Sequence, residues 1–234
     1  MKWRGLEEGE SGLGHATLKA ALDERRELMR KYVPPDIQAQ NRHAVEELRA
    51  SGLADKILPI GAIAPIFALP DSQGQTVNSA EMLARGPLIV VFFRGRWCPF
   101  CVAQLEAWNQ LPPQLHAARA EVVAISPQTV HQCDLMRDQH KLRLALLSDP
   151  GNRVARQFGL VYRVSDEQQK LFRRTFVNLP FINGDESWEL PLPATYLLNR
   201  DGRILFAAAD PDYTIRPEPE EVLAKFAPGA AHTR

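Results

Sequence analysis

The chain has 234 residues, 45% of them hydrophobic and 24% charged, with 28 Lys and Arg set against 28 Asp and Glu. A chain of that length buries enough surface to need no staples, so its three cysteines, an odd and sparse set, are not a disulfide scaffold. A formal net charge of zero favours neither nucleic acid nor an anionic membrane as the main partner.

Residues 1–10, MKWRGLEEGE, are polar and acidic behind a short basic start, which predicts no secretory leader. Leu18, Ala21, Leu22, Leu28, Met29 and Tyr32 keep a helical spacing behind Thr17, a capping residue, and Pro34-Pro35 ends the run. A second helix is predicted from Pro35 through Ile37, Ala44, Val45 and Leu48 to Gly52. This helical pair, residues 1–55, reads as an extension that packs on its own domain or on a second subunit, so a homodimer is among the states it allows.

Residues 56–234 read as one α/β domain. Ile63 to Leu69 has a strand-like pattern, 71–74 is a turn, Thr76-Val77 returns, and Ser79 can cap a short helix through Leu83. Leu88 to Phe93 is a continuous apolar run, the mark of a strand buried on both faces and the expected centre of the sheet. At seven residues with Pro87 it is far too short to span a bilayer, so a cytoplasmic protein with reduced thiols is expected. Helix is then predicted from Pro99 to about Leu111, strand at 121–126, helix at 130–141, strand at 142–148 and a short helix at 152–158. Residues 165–190 look irregular and too long for a plain connection. A hairpin follows over 195–208, and a helix over 217–226 closes the chain. Such alternation implies a mixed sheet flanked by helices, with reactive groups beyond the carboxyl ends of its central strands.

Immediately after that apolar run stands Arg94-Gly95-Arg96-Trp97-Cys98-Pro99-Phe100-Cys101. With Pro99 at the first helical position, Cys98 is the N-cap and faces free N–H groups. The helix dipole and Arg94 and Arg96, in a stretch with no acid between Glu81 and Glu106, favour a thiolate there. Cys98 is therefore expected to have a lowered pKa and to attack, with Cys101, one turn inside the helix, as the resolving thiol. A lone C-x-x-C is also half a zinc site, with His131 and Cys133 as the remaining candidates, but no second ligand pair has the right spacing. Cys133, on a predicted helix, reads as a small buried hydrophobe. Asp185 and Trp188 could line the pocket or belong to a surface loop.

These residues carry a resemblance. W-C-x-x-C after an apolar strand is similar to a thioredoxin, and Leu192-Pro193-Ala194-Thr195-Tyr196 resembles the cis-proline strand that faces the cysteines in that fold. The segment 61–71, GAIAPIFALPD, resembles the opening of peroxiredoxin domains. The pattern F-x-R-G-x-W-C-P-F-C, with 124–129, 148–152 and 183–191, resembles the peroxiredoxin-like branch of the alkyl hydroperoxide reductase and thiol-specific antioxidant (AhpC/TSA) family from about residue 16 to 226. The resemblance implies a thioredoxin-like fold and a thiol peroxidase that takes hydroperoxides, needs no cofactor or metal, and is returned to dithiol by thioredoxin or a similar donor. Cys98 and Cys101 would be catalytic, supported by Arg94, Arg96, Trp97, Pro99 and Pro193.

The chain departs from the family pattern P-x-x-x-[TS]-x-x-C. With Cys101 in the peroxidatic place, Cys98 falls on the hydroxyl position and Arg94 on the proline; with Cys98 there, Gly95 and Val91 do. Phe92 stands where thioredoxins place a buried acid. Two other readings stay open beside the peroxidase: a protein thiol-disulfide oxidoreductase using the same sulfurs, and a metal-binding or redox-regulated interaction module.

Overall fold

The structure, a computed structural model, describes residues 17–226; the leader reading of residues 1–10 lies outside them. Two helices come first. α1 (Leu18–Tyr32) starts where the Thr17 hydroxyl accepts from the Ala20 N–H, and α2 (Pro35–Ala50) starts at Pro35 and stops before Gly52, which takes the left-handed conformation at φ +70. An antiparallel pair, β1 (Ala68–Pro70) and β2 (Thr76–Asn78), and α3 (Ser79–Arg85) lead to β3 (Leu88–Phe92). There follow α4 (Pro99–Asn109), α5 (Pro112–Ala118), β4 (Glu121–Ser126), α6 (Val130–His140), β5 (Ala145–Ser148), α7 (Arg153–Gln157) and β6 (Val161–Arg163). The remainder is α8 (Asp166–Arg174), α9 (Leu179–Asn183), β7 (Glu189–Pro191), the hairpin β8 (Ala194–Leu198) and β9 (Ile204–Ala209), and α10 (Pro219–Leu223).

The main sheet has the order β5-β4-β3-β8-β9, with β3 parallel to β4 and antiparallel to β8. All five residues of β3 are buried, as its unbroken apolar run requires of a strand covered on both faces. Because side chains alternate along a strand, Ile89, Val91 and Phe93 join the core beneath α1 and α4, whereas Leu88, Val90 and Phe92 join the opposite core with Phe158 and Tyr196. The helical extension covers the first of these faces: α1 packs on α4, α2 on α8, all within one chain. Among the described residues no helix is long and apolar enough to cross a membrane.

Several local expectations are corrected. The strand expected over Ile63 to Leu69 is regular only at Ala68–Pro70, with an isolated bridge from Ile63 to Arg203. Asn78, not Ser79, caps α3; the Ser79 hydroxyl instead accepts from the Phe67 N–H. Tyr32 ends α1 in solvent, while Arg25 occupies the buried face. Leu111 is not helical but the cap of α5, a helix begun by Pro112-Pro113 that the periodicity did not reveal. Residues 165–190 are mostly regular: Ser165 caps α8 through Gln168, and Asn178 caps α9 through Phe181. The closing helix is short, Pro219–Leu223, with one 3-10 turn after it.

One close approach packs the segment after α2 against the turn after α7. Gly159, at φ +73, passes so near the chain after α2 that a Cβ there would sit 1.9 Å from the Lys56 carbonyl oxygen. Gly159→Ala is expected to cost about 2 kcal/mol or more, since it adds left-handed strain to a clash with backbone. A urea unfolding midpoint equal to that of the parent protein would contradict this.

Candidate active site

Beyond Phe93 the chain turns sharply before it enters α4. Gly95 makes the turn at φ +146, and a Cβ there would lie 2.6 Å from the Trp97 Nε1, so only glycine fits. The Cys98 N–H donates to the Gly95 carbonyl, and the Cys101 and Val102 N–H groups donate to the Cys98 carbonyl. Cys98 is thus the N-cap of α4 with Pro99 at N1, as the sequence predicts. Its sulfur, however, makes no capping hydrogen bond.

That detail moves the charge to the other cysteine. Burial pushes the Cys98 thiol well above its ordinary range, and the hydrogen bond to Cys101 and the charge there add to the push; Arg94 and Arg216 oppose it without prevailing. Burial acts on Cys101 in the same direction, but it is outweighed. The hydrogen bond with Cys98, the guanidinium groups of Arg216 and Arg94, and a hydrogen bond from the Arg94 backbone bring Cys101 down to about 5. The expected low-pKa thiol at Cys98 is therefore corrected to Cys101. Arg94 and Arg216 favour the charged form of both sulfurs; what separates the two is their shared hydrogen bond, in which Cys98 keeps its proton and donates to the charged Cys101 sulfur.

Both cations lack an acid partner among the described residues. The Arg94 guanidinium is buried and stacked between the rings of Trp97, at 4.6 Å, and Tyr213, at 4.2 Å, and its Nε has no hydrogen-bond partner. Arg216 places Nη2 3.7 Å from the Cys101 sulfur, while its Nε donates to the Gln104 Oε1 at 2.8 Å. The Gln104 amide in turn donates to the Thr195 hydroxyl of β8, both groups fully buried. A buried guanidinium without a carboxylate is costly, and a thiolate is the anion at hand to neutralise it.

Access to the pair is one-sided. A cavity of ≈ 60 Å³ is lined by Cys98, with Trp97, Phe172 and Val177 among its walls and Met29 of α1 and Ile37 of α2 from the extension. Cys101 lies outside that lining. At about 10–15 Å³ per water site, the space is enough for a hydroperoxide group with a short apolar arm. Cys98 and Cys101 are only 2% and 0% exposed, so a large partner does not touch either sulfur in this conformation.

The structure brings Arg94, Trp97, Cys98, Pro99 and Cys101 together and turns Arg96 elsewhere. Arg96 points away: its Nε donates to the Gln132 Oε1 at 2.6 Å and its N–H to the Gln128 Oε1. Pro193 is buried between β7 and β8, but among the described residues no peptide bond is cis, so the cis-proline expectation is overturned. Trp188 stacks under Arg173 at a separate surface hollow, and Asp185 is spent in a turn, accepting from the Ser187 N–H and hydroxyl. Cys133 is a fully buried thiol beside Gln128, pushed up to about 12 chiefly by burial. Among the described residues no three His, Cys, Asp or Glu side chains are grouped as metal ligands.

Sequence reasoning missed Arg216, Tyr213 and Gln104, and had Thr195 only within the segment 192–196 expected to face the cysteines. Arg216 and Tyr213 lie more than 90 residues from the cysteines and reach them only through the fold. Gln104 left a trace, as a glutamine inside the apolar helix PFCVAQLEAWN.

Comparison with known proteins follows the same lines. The sequence model of the AhpC/TSA family matches residues 60–207. Peroxiredoxin Q, chloroplastic, from Oryza sativa subsp. japonica is 32% identical over 100 residues, which are 43% of this chain and 46% of that protein. Peroxiredoxin Bcp from Escherichia coli (strain K12) is 30% identical over 103 residues, 44% of this chain and 65% of that protein. The matched stretch thus spans about half the length of the chloroplastic relative. In fold, the chain is similar to the crystal structure of Peroxidoxin BcpB from Mycobacterium tuberculosis, with a TM-score of 0.57 at 20% identity, covering 72% of this chain and 96% of that one.

Proposed function

We propose that this chain, which belongs to the AhpC/TSA family, is a thiol peroxidase in which Cys101 attacks the peroxide and Cys98 resolves the product. The observation that carries the reading is the Cys101 sulfur, 3.7 Å from Arg216 and drawn down to about 5 among cations that have no carboxylate to neutralise them. In the first step the hydroperoxide passes from the cavity beside Cys98 to the Cys101 thiolate, which attacks one of its oxygens. The O–O bond breaks, a sulfenic acid forms on Cys101, and the departing alkoxide leaves as alcohol after taking up one proton. In the second, the Cys98 thiol condenses with the sulfenic acid, expelling water and closing a Cys98–Cys101 disulfide. A thioredoxin-like dithiol supplies the two electrons that restore the pair, in a cytoplasmic setting that keeps such donors reduced. Arg94 and Arg216 hold the thiolate, and Trp97 and Tyr213 hold Arg94.

The competing reading, disulfide exchange on protein substrates, requires a sulfur that a folded partner can touch. Burial of both cysteines under α1, α2 and α8 demands the same opening for a protein substrate as for a protein donor, so the two readings part at the oxidation step, where a small peroxide needs no such opening. Reduced protein mixed with hydrogen peroxide or cumene hydroperoxide in a stopped-flow instrument tests the proposal, with Trp97 as a fluorescent reporter. Fast, saturation-free oxidation supports it, whereas no oxidation above the rate of a free thiol, together with rapid insulin reduction, overturns it.

The same measurement has a pH signature. A thiolate is lost as pH falls through its folded pKa, so the oxidation rate is expected to be level from neutral pH to about pH 8 and to fall by half near pH 5. A midpoint near the free-thiol value of about 8.5 would show that no cationic cage operates on the attacking sulfur.

A further inference from the structure

Arg216 belongs to no helix or strand. It sits on a strap, residues 210–218, that leaves β9 and crosses above the cysteines to α10. Short side-chain turns shape the strap: the Asp210 Oδ1 accepts from the Asp212 N–H, and the Asp212 Oδ1 accepts from the N–H and hydroxyl of Thr214. Nothing in that local network points Arg216 at sulfur. Tyr213 packs on Phe100 and Arg94, and Arg216 reaches Gln104, but the backbone on either side of Arg216 is tied down by α1. The Arg26 guanidinium donates to the Thr214 carbonyl at 2.7 Å and to its hydroxyl at 3.4 Å. At the far end the Glu218 carboxylate accepts from the Leu18 N–H at 3.1 Å and the Lys19 N–H at 2.6 Å. These are orphan donors of the first turn of α1, which no intrahelical carbonyl can satisfy, so the strap supplies part of the cap of α1 while α1 holds the strap.

We propose that Arg26 and Glu218 are positioning residues, which clamp the 210–218 strap to α1 and thereby keep Arg216 against the Cys101 sulfur. The inference takes Cys101 as the reactive sulfur, as argued above, and gives the N-terminal helices a role in the chemistry although they supply no reacting atom. Arg216 lies between the two clamps, two residues after Thr214 and two before Glu218, so release of either end leaves the hydrogen bond to Gln104 as its one remaining side-chain anchor beside the sulfur, too little to hold a loosened strap in place. The titratable and charged groups around the cysteine pair are Cys98 at the cap of the same helix, Arg94 from the turn after β3, Tyr162 from β6, and from the strap Tyr213, which faces Cys98, and Arg216, which faces both sulfurs. Only the last two travel with the strap.

The test reads the thiolate directly, by its absorbance at 240 nm as the reduced protein is titrated, so it needs no peroxide and stands apart from the peroxidase reading. Glu218→Ala is the decisive variant, because charge and position predict opposite signs. Removing a negative charge would by itself lower the pKa of Cys101; a loosened strap, by withdrawing the Arg216 cation, is expected to raise it by about one unit or more. Arg26→Gln is expected to shift it the same way. Arg30→Gln, which removes an equal charge one turn along α1 where Arg30 is paired with Glu27 and not with the strap, is expected to leave it in place. In an Arg216→Met background, Glu218→Ala is expected to add nothing. A downward shift or none in Glu218→Ala, an equal shift in Arg30→Gln, or an additive shift in the double variant overturns the proposal. A change in thermal midpoint with the thiolate titration unmoved also overturns it, since that is the mark of a merely structural clamp.

Discussion

Replacing Cys101 with serine is expected to abolish peroxide-driven oxidation of the protein, lowering its second-order rate constant on the order of 10³-fold or more. The hydroxyl that remains is not ionised at neutral pH, and the two guanidinium groups then have no anion to hold and nothing to deliver to the O–O bond. Cys98→Ser separates the two steps. It is expected to keep the first oxidation within a few-fold and to stop at a sulfenic acid on Cys101, which dimedone labels and mass spectrometry places on the peptide. If Cys98→Ser is the dead variant and Cys101→Ser carries the sulfenic acid, the assignment of roles is reversed and the cationic cage is not what selects the sulfur.

A second large effect is expected on the far side of the sheet. Phe158 is fully buried, with its ring 4.9 Å from that of Phe92 and 4.9 Å from that of Tyr196. Phe158→Ala removes one corner of this triangle and leaves a hole that β3 and β8, fixed by their ladders, are poorly able to close. The expected cost is about 3–5 kcal/mol, a large share of the roughly 5–15 kcal/mol that hold a domain together. Urea unfolding followed by circular dichroism measures it. The two cores lie on opposite faces of β3, so the folded fraction of this variant is expected to keep the Cys101 titration of the parent. A loss under 1 kcal/mol would mean that the cluster repacks.

The parts of the fold that the sequence declares are those set by local rules. The apolar run at 88–92 reads as a central strand because burial on both faces leaves no polar alternation. Thr17, Pro35 and Thr129 announce α1, α2 and α6 because capping and proline chemistry act within a few residues. The cysteine pair at the strand-to-helix junction is legible for the same reason. Its division of labour is not. The N-cap position of Cys98 is a backbone property and says nothing of where the sulfur turns, and the cation that reaches Cys101 comes from 115 residues away. Arg96 shows the converse error: two residues from Cys98 in the chain, it spends its charge on Gln132 of α6. Residues 165–190 looked irregular because α8 and α9 are short and each needs only one apolar face. Yet the signals were present, in Ser165 before Asp166-Glu167 and in Asn178 before Leu179-Pro180.

Depth also gives the disulfide two unequal ends. In the proposed cycle Cys98 lines the cavity and Cys101 does not, so once the helices over the site open, a donor thiolate meets Cys98 and must expel Cys101. Thiol exchange runs faster when the departing sulfur is the weaker base, and Arg216 and Arg94 stabilise the charge that arrives on Cys101 as it leaves. Geometry and basicity therefore choose the same bond polarity for reduction. The mixed disulfide forms on Cys98 alone, and each turnover returns Cys101 already ionised for the next peroxide.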